Sequence, residues 1–167
     1  PDESTALEIE SKNGARSVKL EGESVGRMGD FIGKFPVVAL SSSDIMLLRG
    51  SPSERRRFLD LTLSATDPSY FRALRGYHRS VAERNRLLKI GGSGAELNAF
   101  EAEIGPRAVA VAEGRRTGLE RLKAHLVQTY ADMAEVEEGP DMEFKENFPC
   151  RDVEAVAQML RDSRQRD

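Results

Sequence analysis

The alternation of apolar and polar positions near the start of the chain predicts a β-hairpin. Leu7 and Ile9 alternate with polar neighbours, and Val18 and Leu20 do the same a few residues later. Asn13-Gly14 lies between the two runs, and both residue types tolerate the positive φ that a type I′ turn requires. Two short antiparallel strands joined at this dipeptide are therefore expected.

Three further segments have patterns that predict strands or a short connector rather than a long helix. Residues 25–34 contain three glycines and predict a short helix or an irregular connector. Residues 35–40 form a continuous apolar run, which is typical of a buried strand. Residues 142–148 alternate apolar and charged positions and predict a half-exposed strand.

Helix-start signals recur through the middle of the chain. Ser42-Ser43-Asp44 predicts the cap of a short helix, Ile45 to Arg49, that Gly50 ends. Ser51-Pro52-Ser53-Glu54 predicts a second start, because Pro fits the first helical position and Glu54 completes a capping box with Ser51. Asp67-Pro68 predicts a third, longer helix in the same way.

Two long helices are predicted to pack as an antiparallel hairpin. The first has a seam in a 4-3-4-3-4 spacing, which favours lengthwise packing against another helix; its members are Tyr70, Leu74, Tyr77, Val81, Arg84 and Leu88. A glycine-rich turn at 91–94 separates it from the second helical pattern, Leu97 to Met133. Gly105-Pro106 predicts a kink or a restart within that pattern. Residues from Val153 to about Arg164 predict a final amphipathic helix.

This order of elements predicts an α+β fold. A small, mostly antiparallel sheet would come from both chain ends, and an inserted helical lobe would project from it. The expected divisions are residues 1–50 for the sheet portion, 51–138 for the helical lobe, and 139–167 for a returning strand and helix.

Bulk composition narrows the class of protein. With 167 residues the chain suits one domain or one compact body with an extension. Its single cysteine, Cys150, excludes an internal disulfide and fits a reducing compartment such as the cytoplasm. No apolar run approaches the roughly 20 residues that span a bilayer, so no membrane association is expected. The first residues do not have the features of a signal peptide. The sequence also does not begin with Met, which suggests a processed chain or a fragment.

Charge is distributed unevenly along the chain. The formal net charge is −3 and the calculated isoelectric point is about 5.6. Residues 49–89 nevertheless contain ten Arg and Lys residues against four acids. A concentration of positive charge on one helical segment indicates a polyanionic partner, so the acidic average does not exclude nucleic acid.

The basic segment supplies the candidate DNA-binding residues. Three arginines, 55–57, lie in the first turns of the second predicted helix, where cations oppose the helix dipole. Others recur at spacings of three, four and seven on the third helix. The candidates for phosphate contact are Arg55, Arg56, Arg72, Arg75, Arg79, Arg86 and Lys89. Intramolecular salt bridges and an ordinary solvated face are the alternatives, and Arg84, on the seam, is expected to be structural.

Residues that could support enzyme chemistry are nearly absent. His78 and His125 are the only histidines, and no metal-ligand or nucleophile spacing includes them or Cys150. No Gly-rich loop ends in Gly-Lys-Ser/Thr. Ser41 and Ser42 follow the predicted strand and could lie near a nucleotide, although capping a helix explains them as well. No catalytic residue and no metal site are expected.

Two blocks of sequence resemble one family. Residues 47–60, Leu-Leu-Arg-Gly-Ser-Pro-Ser-Glu-Arg-Arg-Arg-Phe-Leu-Asp, closely resemble a motif of the bacterial RecF family of recombinational DNA-repair proteins. Residues 77–89 look like the next block of that family, and looser similarity extends over nearly the whole chain. The family usually has Pro and an acid where this chain has Ser42 and Ser43.

The resemblance implies that the chain is part of a longer ATPase. RecF proteins are P-loop ATPases of the ABC type, related to SMC proteins in the head domain, that dimerise on ATP with Mg and bind DNA. With RecO and RecR they help to load the recombinase at gaps, in DNA repair, replication and the SOS response, in the cytoplasm on the nucleoid. The chain would be the middle of such a protein, with Walker A before it and the ABC signature and Walker B after it. The isolated segment is therefore expected to be inactive as an ATPase.

Two hypotheses follow for the helical lobe. The first is a DNA-binding segment that contacts phosphates of a duplex or of a single-strand/double-strand junction without reading bases. The second is a protein-interaction lobe whose arginines contact partner proteins or the second protomer, without direct contact to DNA.

Overall fold

The computed structural model describes residues 6–26, 35, 37–134, 139–146 and 151–166. In these residues a small antiparallel sheet precedes a set of helices, which confirms the α+β class. The predicted connector at 25–34 lies mostly outside the described residues.

The predicted hairpin is present. Strand β1 (Leu7–Lys12) pairs antiparallel with β2 (Ala15–Leu20), and Lys12 faces Ala15 across the turn. Asn13 and Gly14 have φ of 52° and 80°, so both residues of this two-residue turn need the left-handed conformation. A second turn of the same kind, at Glu21-Gly22, adds the two-residue strand β3 (Glu23–Ser24), which sequence reasoning missed.

The predicted buried strand at 35–40 is wrong for the residues that the structure describes. Residues 37–40 form neither strand nor helix, and Val38 is 96% exposed. An apolar run becomes a buried strand only if other strands supply hydrogen-bond partners on its edges. The described sheet consists of β1, β2 and β3 and offers no such partner to residues 37–40.

The helix starts follow their capping residues. A 3₁₀ turn (Ser42–Ile45) leads into α1 (Met46–Arg49), which begins one residue after the predicted start at Ile45. Helix α2 (Pro52–Thr66) begins at the predicted capping box, in which the Ser51 backbone N–H donates to Glu54 Oε2 over 2.6 Å. Helix α3 (Pro68–Ile90) begins at Asp67, whose carboxylate accepts from the Ser69 backbone N–H over 2.8 Å.

The predicted antiparallel helical hairpin is confirmed. Helix α4 (Gly94–Met133) begins at a capping box formed by Ser93 and Glu96 and packs along α3, and Gly91 ends α3 with a φ of 68°. On α3 the most buried positions are Tyr70, Ser80, Arg84 and Leu87. Leu87 therefore takes the buried place that the heptad spacing assigned to Leu88.

Helix α4 continues through Pro106 instead of restarting there. A proline inside a helix removes one hydrogen bond and costs about 3 kcal/mol. The residues around it are buried against other helices: Ile104 and Ala108 form an apolar cluster with Val156. This tertiary packing stabilises the helix where its local sequence favours a break.

Helix α5 (Val153–Ser163) lies against α4, and its predicted span is confirmed. A methyl group added at Gly105 of α4 would lie 2.9 Å from the backbone oxygen of Val153, so the glycine permits this close approach. A second apolar cluster joins α2, α3 and α4 through Leu59, Leu63, Tyr70 and Val111.

The predicted strand at 142–148 is not observed. Residues 142–146 have no regular secondary structure, and residues 147 and 148 lie outside the described part. The described sheet thus comes from the N-terminal end alone. Glu146 is held by Arg116 of α4, and Asp141 by Lys123, so side-chain ion pairs rather than a strand ladder place this segment along α4. Across the described residues, no helix combines the length and the apolar character that crossing a bilayer requires.

Candidate nucleic-acid interface

All seven candidate DNA-binding residues are exposed. They divide between the first turns of α2 and the length of α3; on α2 they are Arg55 and Arg56, and on α3 they are Arg72, Arg75, Arg79, Arg86 and Lys89. Because none is buried, each can exchange water for a phosphate without first breaking a packed core contact.

Three of these arginines border one groove. Arg72, Arg75 and Arg79 lie at successive turns of α3, at spacings of three and four that place them on one face. They line a groove between α3 and α4, here called the α3–α4 groove, together with Arg107 of α4. Four arginines therefore surround one concave surface, in which positive potential is concentrated.

Two glutamates also line the α3–α4 groove, but both have arginine partners. Arg107 donates to Glu103 Oε2 over 2.7 Å, and the Ser80 hydroxyl donates to the same oxygen over 3.1 Å. These hydrogen bonds, led by the one from Arg107, lower the pKa of Glu103. Glu83 accepts from Arg86 Nε over 2.9 Å. Neither acid is hydrogen-bonded to Arg72, Arg75 or Arg79 among the described contacts.

A second groove lies between α2 and α3 and is here called the α2–α3 groove. Arg56, Arg57 and Arg75 lie along it, and its floor contains Leu61 and Leu74. Arg75 therefore borders both grooves. The basic surface is continuous from the start of α2, across Arg75, to the middle of α3.

The structure does not bring every candidate to these grooves. Arg55 lines neither one and donates to the backbone oxygen of Gly50 over 2.8 Å, so its contact is a helix-end hydrogen bond. Arg86 pairs with Glu83, and Lys89 lies in the last turn of α3. Arg86 does not line the α3–α4 groove, although it lies two helical turns from Arg79 on α3 and its side chain is exposed. Its contact with DNA stays a prediction.

Sequence reasoning missed Arg107 and did not retain Arg57 among the candidates. Arg107 lies on α4 in a segment with equal numbers of acids and bases, so no charge excess marked it. Its place beside Gly76 and Ser80 of α3 depends on the register of the α3–α4 hairpin, which periodicity alone does not fix. Arg57 did carry a signal, because it belongs to the triple-arginine run.

Arg84, which lies on the seam of α3, is structural as expected. It is 3% exposed and donates through Nε to Glu101 Oε1 over 3.0 Å. It also donates to the Leu160 backbone oxygen over 2.7 Å, and Arg164 forms a second ion pair with Glu101. Burial alone would raise the pKa of Glu101, but the hydrogen bonds from Arg164 and Arg84 lower it below its ordinary value. This network joins α3, α4 and the C-terminal end of α5.

A second polar network lies in the wall of the α2–α3 groove, which Asp60 and Arg115 line. Arg115 of α4 binds Asp60 of α2 through two hydrogen bonds, Nε to Oδ1 over 2.8 Å and a terminal nitrogen to Oδ2 over 2.7 Å. The Tyr70 hydroxyl of α3 donates to the same Oδ1 over 2.5 Å. Burial and this bond to Asp60 raise the pKa of Tyr70. The network fixes the relative positions of α2 and α3 and hence the width of the groove.

The nucleotide-proximal candidates Ser41 and Ser42 lie at the start of the 3₁₀ turn. The Ser41 backbone N–H donates to Asp44 Oδ2 over 2.5 Å, and the Ser41 and Ser43 hydroxyls lie 2.6 Å apart. Ser41 thus has the capping role that was its alternative explanation. In the described part of the chain, no group of three His, Cys, Asp or Glu side chains could hold a metal ion.

The sequence of the chain is similar to several curated proteins of one description. It is 37% identical over 118 residues to the DNA replication and repair protein RecF of Chloroherpeton thalassium, a match that covers 68% of this chain and 32% of that protein. It is 30% identical over 155 residues to the RecF of Heliobacterium modesticaldum, covering 87% of this chain and 42% of that protein. The chain belongs to the RecF family.

Structural comparison agrees with the family assignment. The structure of the recombination mediator protein RecF-ATP in the RecFOR pathway superposes with a TM-score of 0.78 and 26% identity over 96% of this chain and 46% of that one. No family profile matches the sequence. The chain spans less than half the length of these RecF proteins, so the properties of a whole RecF protein come to it only as proposals.

Proposed function

We propose that the chain is the DNA-binding segment of a RecF-like recombination mediator. The observation that supports this most directly is the α3–α4 groove, where Arg72, Arg75 and Arg79 are exposed and hydrogen-bonded to no carboxylate among the described contacts. Arginines whose N–H groups are not hydrogen-bonded to protein carboxylates can donate strong, charge-assisted hydrogen bonds to phosphate oxygens.

The proposed contact is with the DNA backbone and not with base edges. Successive arginines on one helix face lie roughly 5–6 Å apart, which suits a row of phosphates along one strand. Contacts of this kind orient a protein on DNA and give affinity without sequence preference. A mediator that acts wherever a gap occurs requires affinity of this kind.

The remaining functions belong to the longer protein. As part of a RecF protein, the chain would act in an ABC-type ATPase that binds ATP and Mg and dimerises on ATP. It would help to load the recombinase at replication gaps with RecO and RecR, on the nucleoid in the cytoplasm. Residues 1–50 and 139–167 would belong to the ATPase lobe, and 51–138 would form the helical lobe that meets DNA.

A salt titration tests the proposed contact. In the full-length protein, the triple substitution Arg72→Ala, Arg75→Ala and Arg79→Ala should weaken binding to a fluorescent duplex. It should also flatten the plot of log affinity against log salt by about 0.9 for each phosphate that the variant no longer neutralises. A matched control removes three exposed cations outside both grooves, by Lys19→Ala, Lys145→Ala and Arg151→Ala. Equal slopes for the two triple variants would refute the proposal and favour the protein-interaction alternative.

A further inference from the structure

The α2–α3 groove differs from the α3–α4 groove in the chemistry of its floor. Its lining surface is predominantly apolar, with Leu61 and Ala65 from α2 and Phe71 and Leu74 from α3. Leu61 is 61% exposed, and the other three are partly exposed. Residues 57, 61 and 65 are spaced by four, so the rim arginine and the apolar floor form one stripe of α2.

The rim of this groove is positively charged. Arg56, Arg57 and Arg75 are exposed along it. The acid that lines the groove, Asp60, is bound by Arg115 and by the Tyr70 hydroxyl, so its charge is already compensated. An acidic ligand would therefore meet three arginines and little repulsion.

From this combination we infer that the α2–α3 groove binds an acidic protein segment with apolar anchor side chains. The carboxylates of such a segment would pair with the rim arginines, and its Leu or Phe side chains would cover Leu61 and Leu74. An amphipathic segment that lays its apolar face into a hydrophobic groove is a recurrent mode of peptide recognition. Duplex DNA could pair its phosphates with the rim arginines, but it would leave the apolar floor uncovered, because its outer surface is made of charged phosphates and sugars.

The inference goes beyond the proposed DNA contact and concerns a different groove. The two grooves share Arg75, so a segment seated between α2 and α3 would draw one arginine away from the DNA surface. Peptide binding can be measured with no DNA present, so failure of one proposal is distinguishable from failure of the other.

Three synthetic ten-residue peptides test the inference with the full-length protein. The first combines six Asp and Glu with two Leu and two Phe; the second replaces the apolar residues by Ser; the third replaces the acids by Asn and Gln. We expect fluorescence anisotropy to show binding of the first peptide and at least tenfold weaker binding of the other two. Equal binding of the first two peptides, or binding of none of them, would overturn the inference.

Variants locate the binding. Leu61→Ser should lower the affinity for the first peptide about tenfold. Leu48→Ser, which alters a leucine that is exposed outside both grooves, should leave that affinity unchanged. Arg56→Glu should lower the affinity for the first peptide more at low salt than at high salt. Both sites are exposed, and circular dichroism would verify that each variant is folded. If Leu61→Ser lowers affinity for a single-stranded oligonucleotide and not for the peptide, the groove holds nucleic acid and the inference fails.

Discussion

Arg84 of α3 and Glu101 of α4 form an ion pair in the interior of the helical lobe, with 3.0 Å between Nε and Oε1. Glu101 is completely buried, and Arg164, beyond the end of α5, binds the same carboxylate. Three helices thus meet at one carboxylate. Removing one partner of a buried pair leaves an uncompensated charge, so this site is sensitive to substitution even if the intact network adds little net stability.

Substituting Glu101 by Gln should destabilise the fold strongly. The neutral amide leaves the buried Arg84 guanidinium without a counter-charge, and we expect a decrease of about 3–5 kcal/mol in the free energy of unfolding. Urea denaturation followed by circular dichroism measures this. The matched control is Glu103→Gln, which breaks the half-exposed pair with Arg107 and should cost at most about 1 kcal/mol. Equal decreases for the two variants would contradict the structural role of the buried network.

The same carboxylate should make stability depend on acid pH. The arginines lower the pKa of Glu101 in the folded protein below its value in the unfolded chain. Its contribution is therefore fully present above the unfolded value of about 4.3 and is lost as pH falls through the lower, folded pKa. The difference in unfolding free energy between the wild type and Glu101→Gln should shrink over this range, because protonated Glu is neutral like Gln. A difference that stays constant from pH 7 to acid would count against this assignment.

Close helix packing should make one glycine of α4 intolerant of Ala. A methyl group at Gly114 would lie 2.7 Å from Cε2 of the buried Tyr70 ring, which is rigid and hydrogen-bonded to Asp60. Gly114→Ala should lower the melting temperature, although Ala favours a helix by about 1 kcal/mol over Gly. Gly94→Ala is the control, since nothing lies within 4 Å of the added methyl group there. A Gly114→Ala protein as stable as the Gly94→Ala protein would show that the ring yields easily.

The arginines of α3 should contribute unequally to DNA affinity. Arg79 borders the α3–α4 groove, whereas Arg86 lies outside it and already pairs with Glu83. Arg79→Ala should therefore weaken duplex binding several-fold, and Arg86→Ala should weaken it less, because Arg86 must first give up its carboxylate. Single-variant titrations at one low salt concentration provide the measurement. A larger effect of Arg86→Ala would move the interface towards the C-terminal end of α3.

Features that depend on neighbouring residues in sequence could be predicted. The Asn13-Gly14 turn, the capping box of Ser51 and Glu54 and the α3–α4 hairpin follow from short-range backbone chemistry and from helical periodicity, and all three are present. Both strand predictions that required a distant partner, at 35–40 and 142–148, were wrong for the described residues. A strand requires hydrogen bonds to a neighbouring strand, and a single sequence does not show which strand that is.

The sequence predicted which helices carry the candidate site, but not which of their arginines lie together. Charge counting located the basic helices, because an excess of arginine is visible in the sequence alone. It did not show that Arg72, Arg75 and Arg79 share a groove with Arg107, or that Arg86 lies outside it. Those relations depend on how α3 and α4 are rotated about their axes, which the buried side chains determine.

The exposed run at residues 37–40 has a practical consequence for work with this segment alone. Val37 and Val38 combine high strand propensity with solvent exposure, Leu40 is an exposed apolar neighbour, and residues 37–43 contain neither a charge nor Pro. Such short stretches pair with copies of themselves when no native strand covers them. Samples of the isolated segment should therefore self-associate with increasing concentration through this run, and a charged replacement at Val38 should keep them monodisperse.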